Sequence, residues 1–185
     1  MRITDDRYTR DRLKFDLAMR LIRHEARTRT IRSWTGLSDD RIRKLFRSYV
    51  EESGHSTLRR HRGKSPRQPA WFLRNATVRR HAASLGALFC ALGLLQRSAA
   101  QPAGNTIAGL RWCETFCRAY EEYAAAHGDR HISFEHACFL RLALERQAEL
   151  CVEQCAGCGA LVIISPYAVT PASCEFCVGL HRPGH

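Results

Sequence analysis

With 185 residues, 45% hydrophobic and 25% charged, the chain is long enough to bury a sizeable core without disulfide staples, and its composition is ordinary for a folded soluble protein. Its nine cysteines are an odd number, and Met1–Tyr8 is polar with no apolar signal segment, which argues against a secreted disulfide framework and for a reducing cytoplasm. The formal charge of +11 is gathered in one half: residues 1–80 carry 22 Lys/Arg against 9 Asp/Glu, a net of +13, while residues 81–185 carry 7 against 9, a net of −2. That asymmetry points to a polyanionic partner at the N-terminal half, nucleic acid ahead of an anionic membrane surface.

The periodicity predicts one helix after another. Leu13, Leu17, Leu21 and Ile22 recur at helical spacing, giving a first helix over about Asp11–Arg23 and a second over about Glu25–Trp34. The break Thr35-Gly36-Leu37-Ser38 follows, with Ser38 as the cap of a third helix and Asp39 and Asp40 complementing its positive terminus. This helix runs to about Val50 with Ile42, Leu45, Phe46 and Tyr49 on one face. Residues Ser53–Ala70 read as a basic, Gly- and Pro-punctuated linker.

Helix resumes near Trp71 or Arg74 and runs to Leu95. The apolar run Ala82–Leu95 is 14 residues long, short of the ~20 that a membrane span requires, and reads as a buried helix. After a loop around Gln101–Asn105 comes a long helix to about His127, ended by Gly128, with Ile107, Leu110, Cys113, Phe116, Cys117, Tyr120 and Tyr123 inward. Ser133 opens a last helix with Phe134, Ala137, Cys138, Leu142 and Leu150 inward, and Leu161–Ser165 is the single convincing strand. Cys90, Cys113, Cys117, Cys138 and Cys151 fall in apolar helical patterns and read as core thiols.

The expected fold is therefore mostly α. Residues 1–52 form a helix-turn-helix-like unit, 53–70 a basic linker, 71–153 a helical core, and 154–185 a cysteine segment with a short tail.

Thr28–Arg47 fits a helix-turn-helix, with Gly36 at the turn and Ile31, Leu37, Ile42 and Leu45 inward. Its second helix offers Arg41, Arg43, Lys44 and Arg47 outward, where a guanidinium can fork onto a guanine edge or a phosphate. Arg32 stands where a small residue usually lets the two helices pack, and a plain core αα-hairpin has the same outline. The linker adds Arg59, Arg60, Arg62, Lys64 and Arg67, suited to phosphate contact without sequence reading.

The most specific signal is Cys155-x2-Cys158-x15-Cys174-x2-Cys177. Two Cys-x-x-Cys turns at this spacing supply the four thiolates of one tetrahedral Zn²⁺, one ion per chain, and Gly157 and Gly159 permit the tight first knuckle. A redox Cys-x-x-Cys is expected once, at the head of a helix after a strand. A zinc deaminase needs His-x-Glu, which is absent, and Pro171 stands three residues before Cys174 instead of next to it. Cys151, His181 or His185 could replace one ligand, but none keeps both pairs. Four protein ligands leave no open position, so the site is expected to be structural.

The order "LAMRLI", "TGLSDDRIRKLFRSY", "AWF" at Ala70–Phe72, a helical middle and "CAGC…CEFC" resembles the FlhC family, subunits of the bacterial flagellar master activator, over roughly Asp16–Cys177. The resemblance implies a complex of two such chains with four FlhD-type subunits, binding to promoter double-stranded DNA of flagellar and other operons, and recruitment of RNA polymerase. It implies zinc ligation by Cys155, Cys158, Cys174 and Cys177. Only eight residues follow Cys177, where enterobacterial members carry a longer tail.

Two function classes remain: a DNA-binding activator subunit, and a zinc-stabilised protein–protein scaffold whose partner reads the DNA. An enzyme is not expected, because the sequence shows no paired catalytic carboxylates, Ser/His/Asp set, phosphate-binding Gly loop or open metal site.

Overall fold

The computed structural model describes residues 2–53, 66–95 and 106–180. Seven α-helices and two short strands occur among them: α1 Arg2–Arg23, α2 Thr28–Thr35, α3 Asp39–Ser53, α4 Ala76–Ala91, α5 Ile107–Ala126, α6 Phe134–Arg146, β1 Cys151–Gln154, β2 Leu161–Ile164 and α7 Glu175–Leu180. The protein is mostly helical, as its periodicity predicts. No helix among the described residues is long and apolar enough to cross a membrane. The chain forms two compact units. One takes in the described residues of Met1–Lys64 and Ser98–Arg118, the other those of Ser65–Arg97 and Ala119–His185, so α5 passes from the first into the second.

In the first unit α1, α2 and α3 pack on one another. Leu17, Ala18, Leu21 and Ile22 of α1 are buried with Ile31 and Trp34 of α2, Leu37, and Ile42 of α3. Trp34 meets Trp112 and Phe116 of α5 edge-on, at ring-centroid distances of 5.8 and 5.2 Å, a favoured geometry for aromatic pairs. Arg20 is ion-paired with Glu114.

The turn between α2 and α3 is built from both backbone and side chain. Gly36 is left-handed, with φ +70°, and its N–H closes α2 on the carbonyl of Arg32. The fully buried Thr35 hydroxyl donates to the Ile31 carbonyl at 2.7 Å and accepts from the Leu37 N–H at 3.2 Å. Ser38 caps α3 by accepting from the Arg41 N–H at 3.4 Å. Arg32 is exposed and pairs with Asp39, so it leaves the packing face between the helices free.

In the second unit a 3-10 turn over Pro69–Leu73 leads into α4, which is capped by Asn75 accepting from the Val78 N–H at 2.9 Å. The "AWF" landmark lies in that turn. Phe72 is fully buried, and Trp71 stacks on His136 at 4.3 Å with Arg74 on its ring. Helix α4 packs against α6 and β2. A Cβ on Gly86 would lie 3.3 Å from Ile163, so the missing side chain is what lets the strand come this close.

Several boundaries depart from the periodicity. Helix α1 begins at Arg2, earlier than the Asp11 its apolar positions indicate. Helix α4 stops at Ala91 because Gly93 turns the chain with φ +67°, and Cys90 is exposed, not core. The last long helix ends at Arg146, and Leu150, though buried, lies beyond it. Residues Cys151–Gln154 form a second strand, antiparallel to β2 in the register Cys151↔Ile164, because pairing with an apolar strand outweighs weak local propensity.

Candidate metal centre

The β1–β2 hairpin carries the first cysteine pair in its connecting knuckle. The Cys155 N–H donates to the Ala160 carbonyl, and the Gly159 N–H donates to the Cys155 carbonyl, both at 2.8 Å. Gly159 has φ +72°, a conformation that a side chain would strain. The second arm is drawn onto the knuckle by the Ala156 N–H, which donates to the Ala172 carbonyl at 2.8 Å. Cys174 immediately precedes α7, and Cys177 lies in its first turn. The sulfurs of Cys155, Cys158, Cys174 and Cys177 all lie within 4.8 Å of one another, and this is the only such group of His, Cys, Asp or Glu among the described residues.

The donor set fits a tetrahedral metal ion. Zn–S bonds of about 2.3 Å at tetrahedral angles put ligand sulfurs about 3.8 Å apart. Cys158 and Cys174 Sγ are 3.6 Å apart, far beyond the ~2.0 Å of a disulfide. Backbone N–H groups already point at sulfur, with Cys174 N–H 3.2 Å from Cys155 Sγ and Cys177 N–H 3.4 Å from Cys174 Sγ. Such donors favour thiolate, and a metal-binding thiol must be thiolate. The Cys174 N–H, followed by that of Gly157, pulls the Cys155 thiol down to about 6. Cys177, crowded first by the Cys174 sulfur and then by Cys158 and Cys155, is pushed up to about 12. Four sulfurs this close cannot all ionise without a cation among them.

Gly157 has a role beyond the turn. A Cβ there would sit 2.9 Å from Cys177 Sγ and 3.2 Å from Cys177 Cβ, so only a residue without a side chain lets the second cysteine pair pack this close. One feature of the module has no motif: Glu175, between the last two cysteines, accepts from Arg79 of α4 at 2.6 Å and ties α7 to the helical body. Sequence spacing carries no trace of a pair 96 residues apart.

The basic residues expected to meet DNA divide. Arg41, Arg43, Lys44 and Arg47 are all exposed on α3. Arg43 pairs with Asp40 at 3.0 Å, and Arg41 lies over the Phe15 ring at 5.8 Å. Arg67 is exposed and borders a small cleft with Phe139 and Arg146 in the second unit. Arg59, Arg60, Arg62 and Lys64 lie outside the described residues.

No protein-family model matches the chain, and no curated protein matches it.

Proposed function

We propose that this chain is the zinc-stabilised, DNA-binding subunit of a cytoplasmic transcription activator of the FlhC type. In this reading it assembles with an FlhD-type partner, binds promoter DNA and recruits RNA polymerase. The observation that carries the reading is the row of four exposed cations, Arg41, Arg43, Lys44 and Arg47, on the helix that follows the Gly36 turn. A rigid helix with cations on its outer face suits the DNA major groove, and the packing of α1, α2 and α3 supplies the rigidity. The charge excess in residues 1–80 and the cysteine module with the spacing of the FlhC motif support it further.

The zinc is structural in this reading: four thiolates close the coordination sphere, and the ion holds together a hairpin and a six-residue helix too small to fold alone.

The scaffold reading draws on the Arg43–Asp40 pair and the Arg41–Phe15 contact, which engage two of the four cations internally. Footprinting of a flagellar promoter by the assembled complex, with an Arg43→Ala, Lys44→Ala chain beside the wild type, separates the two. Loss of the footprint with the complex intact supports DNA reading by α3. An unchanged footprint assigns the reading to the partner.

A further inference from the structure

The cysteine module and α4 enclose a cleft of about 560 Å³ in the second unit. Its α4 wall is kept low by Ala83 and Ala87, one helical turn apart on a single face. The opposite wall is Leu161 and Ile163 of β2, and Phe176 of α7, 71% exposed, stands at the rim. Polar groups are few. Arg79 is occupied by Glu175. The Ser84 hydroxyl, bonded to His127 Nε2 at 2.9 Å, keeps capacity for a further hydrogen bond. Arg80 is exposed and makes no ion pair with any described residue.

We infer that this cleft binds a small amphiphilic carboxylate, with its alkyl body on the Ala83, Ala87, Leu161 and Ile163 walls and its carboxylate on the Arg80 guanidinium. An apolar concavity of roughly 300–1,000 Å³ with one or two convergent polar groups is the usual form of a small-molecule site. The charge decides the class. A guanidinium with no ion-pair partner among the described residues selects an anion, and its planar fork matches a carboxylate in a bidentate pair. A neutral lipid leaves that cation unused, and an alkyl cation is repelled by it.

The cleft shares a wall with the metal centre, because Cys158, Cys174 and Cys177 border it. An alkyl chain seated there covers the thiolates on that side, so the ligand and the metal should stabilise each other by mutual occupancy. The inference does not depend on DNA binding by α3.

Titration calorimetry on the full-length, metal-loaded chain, alone and in complex with an FlhD-type partner, tests it. Decanoate below its micelle concentration is the probe, with decanol and decyltrimethylammonium as controls. Saturable one-to-one binding of decanoate, with decanol weaker and the cation weakest, is expected. Arg80→Glu should lower decanoate affinity about tenfold or more, the scale of one charge-assisted hydrogen-bonded pair, and leave decanol unchanged. Ala87→Trp should block both ligands. Should that variant fail to fold, the exposed Arg80 still decides. Bound decanoate should also slow metal transfer to a chromogenic chelator.

The proposal is overturned by no saturable binding, by equal affinity for decanoate and decanol, or by indifference to Arg80→Glu. Binding to the lone chain but not to the complex would assign the cleft to a segment of the partner and overturn it as well.

Discussion

The hydroxyl of Tyr123 lies 2.7 Å from Nδ1 of His81, and it also accepts the Ile132 N–H at 3.3 Å. With its oxygen already accepting, the Tyr123 proton is free to donate to His81, which requires an unprotonated Nδ1. Three further observations favour neutral imidazole: His81 is 4% exposed, its ring centroid is 4.4 Å from that of His127, and it is 4.7 Å from that of His131. Burial first, then the His127, His131 and Arg80 charges, push its pKa below the ordinary 6.5, against a smaller upward pull from Asp129.

Stability should therefore depend on pH with a definite sign. Below 6.5 the unfolded chain takes up a proton at His81 that the folded chain resists, so the contribution is complete above 6.5 and is lost as pH falls through the folded value. Urea melts between pH 7.5 and 5 should show wild type losing more stability on acidification than His81→Gln, which retains an acceptor for Tyr123. Metal loss at the cysteines affects both proteins and cancels in the difference. Parallel curves would show that His81 titrates as it does in water.

Purified protein should contain about one zinc per chain, as one closed four-thiolate site requires. Cobalt substitution should give thiolate-to-metal charge-transfer bands and the visible absorption of tetrahedral Co²⁺. Chelation should unfold the module, measured as hydrogen exchange at the Cys155 and Gly159 amides, whose partners lie within the knuckle. A chelated protein in which those amides stay protected would show that the hairpin folds without metal.

Gly157→Ala should weaken metal retention. Its new methyl meets Cys177 Sγ at 2.9 Å, and a ligand sulfur cannot retreat without lengthening its bond. Gly128→Ala is the matched control, because nothing lies within 4 Å of a Cβ there. Competition with a chromogenic chelator should rank Gly157→Ala well below both wild type and Gly128→Ala. Equal metal affinities for the three would mean that the knuckle relaxes around the methyl group.

The contrast between Cys177 and Glu175 explains what the sequence could reveal of the site. The four candidate ligands are legible because a tetrahedral metal site calls for four thiols in two tight turns, and turns are local. The Arg79–Glu175 pair and the cleft beside it depend on which helix the module meets, and no local pattern encodes that. The same division holds for the helices. Buried stripes such as Leu17, Leu21 and Ile22 were legible through their period. The start of α1 was not, because its first turns lack an apolar stripe, and β1 was not, because a strand with one β-branched residue depends on its partner. The end of α4 did carry a signal in Gly93. There the N–H of Leu94 turns back to the Phe89 carbonyl at 2.8 Å, so a buried apolar residue follows the helix without extending it. The three-histidine cluster joins residues up to 50 positions apart, and composition gives no hint of it.

Thr35→Val should loosen the turn that sets α3. The substitution keeps the volume but removes the hydroxyl that serves both the Ile31 carbonyl and the Leu37 N–H. At full burial the stranded N–H should cost on the order of 1–3 kcal/mol. Thermal or urea denaturation measures it, and a change within a few tenths of a kcal/mol would mean that the turn is held by Gly36 alone.

Two sets of cations should fail differently on DNA. The α3 residues are held on a rigid helix, with Ile42 buried beneath and Ser38 capping its start. Arg59, Arg60 and Arg62 stand in a stretch rich in Gly, Pro and Ser, whose chemistry suits phosphates in any sequence. Replacing Arg43 or Lys44 should therefore cost about 1–3 kcal/mol on the specific promoter and much less on random DNA, as loss of a base contact does. Part of the Arg43 effect could come from freeing Asp40, so Lys44 is the cleaner probe. Neutralising Arg59, Arg60 and Arg62 should weaken specific and random binding together and lower the salt slope by about one for each phosphate contact removed. Affinity of the assembled complex, measured from low to high salt for wild type and both sets, distinguishes the outcomes. A promoter preference that survives the α3 substitutions with the slope unchanged would transfer sequence reading to the partner and leave the basic half of this chain as a solvated surface.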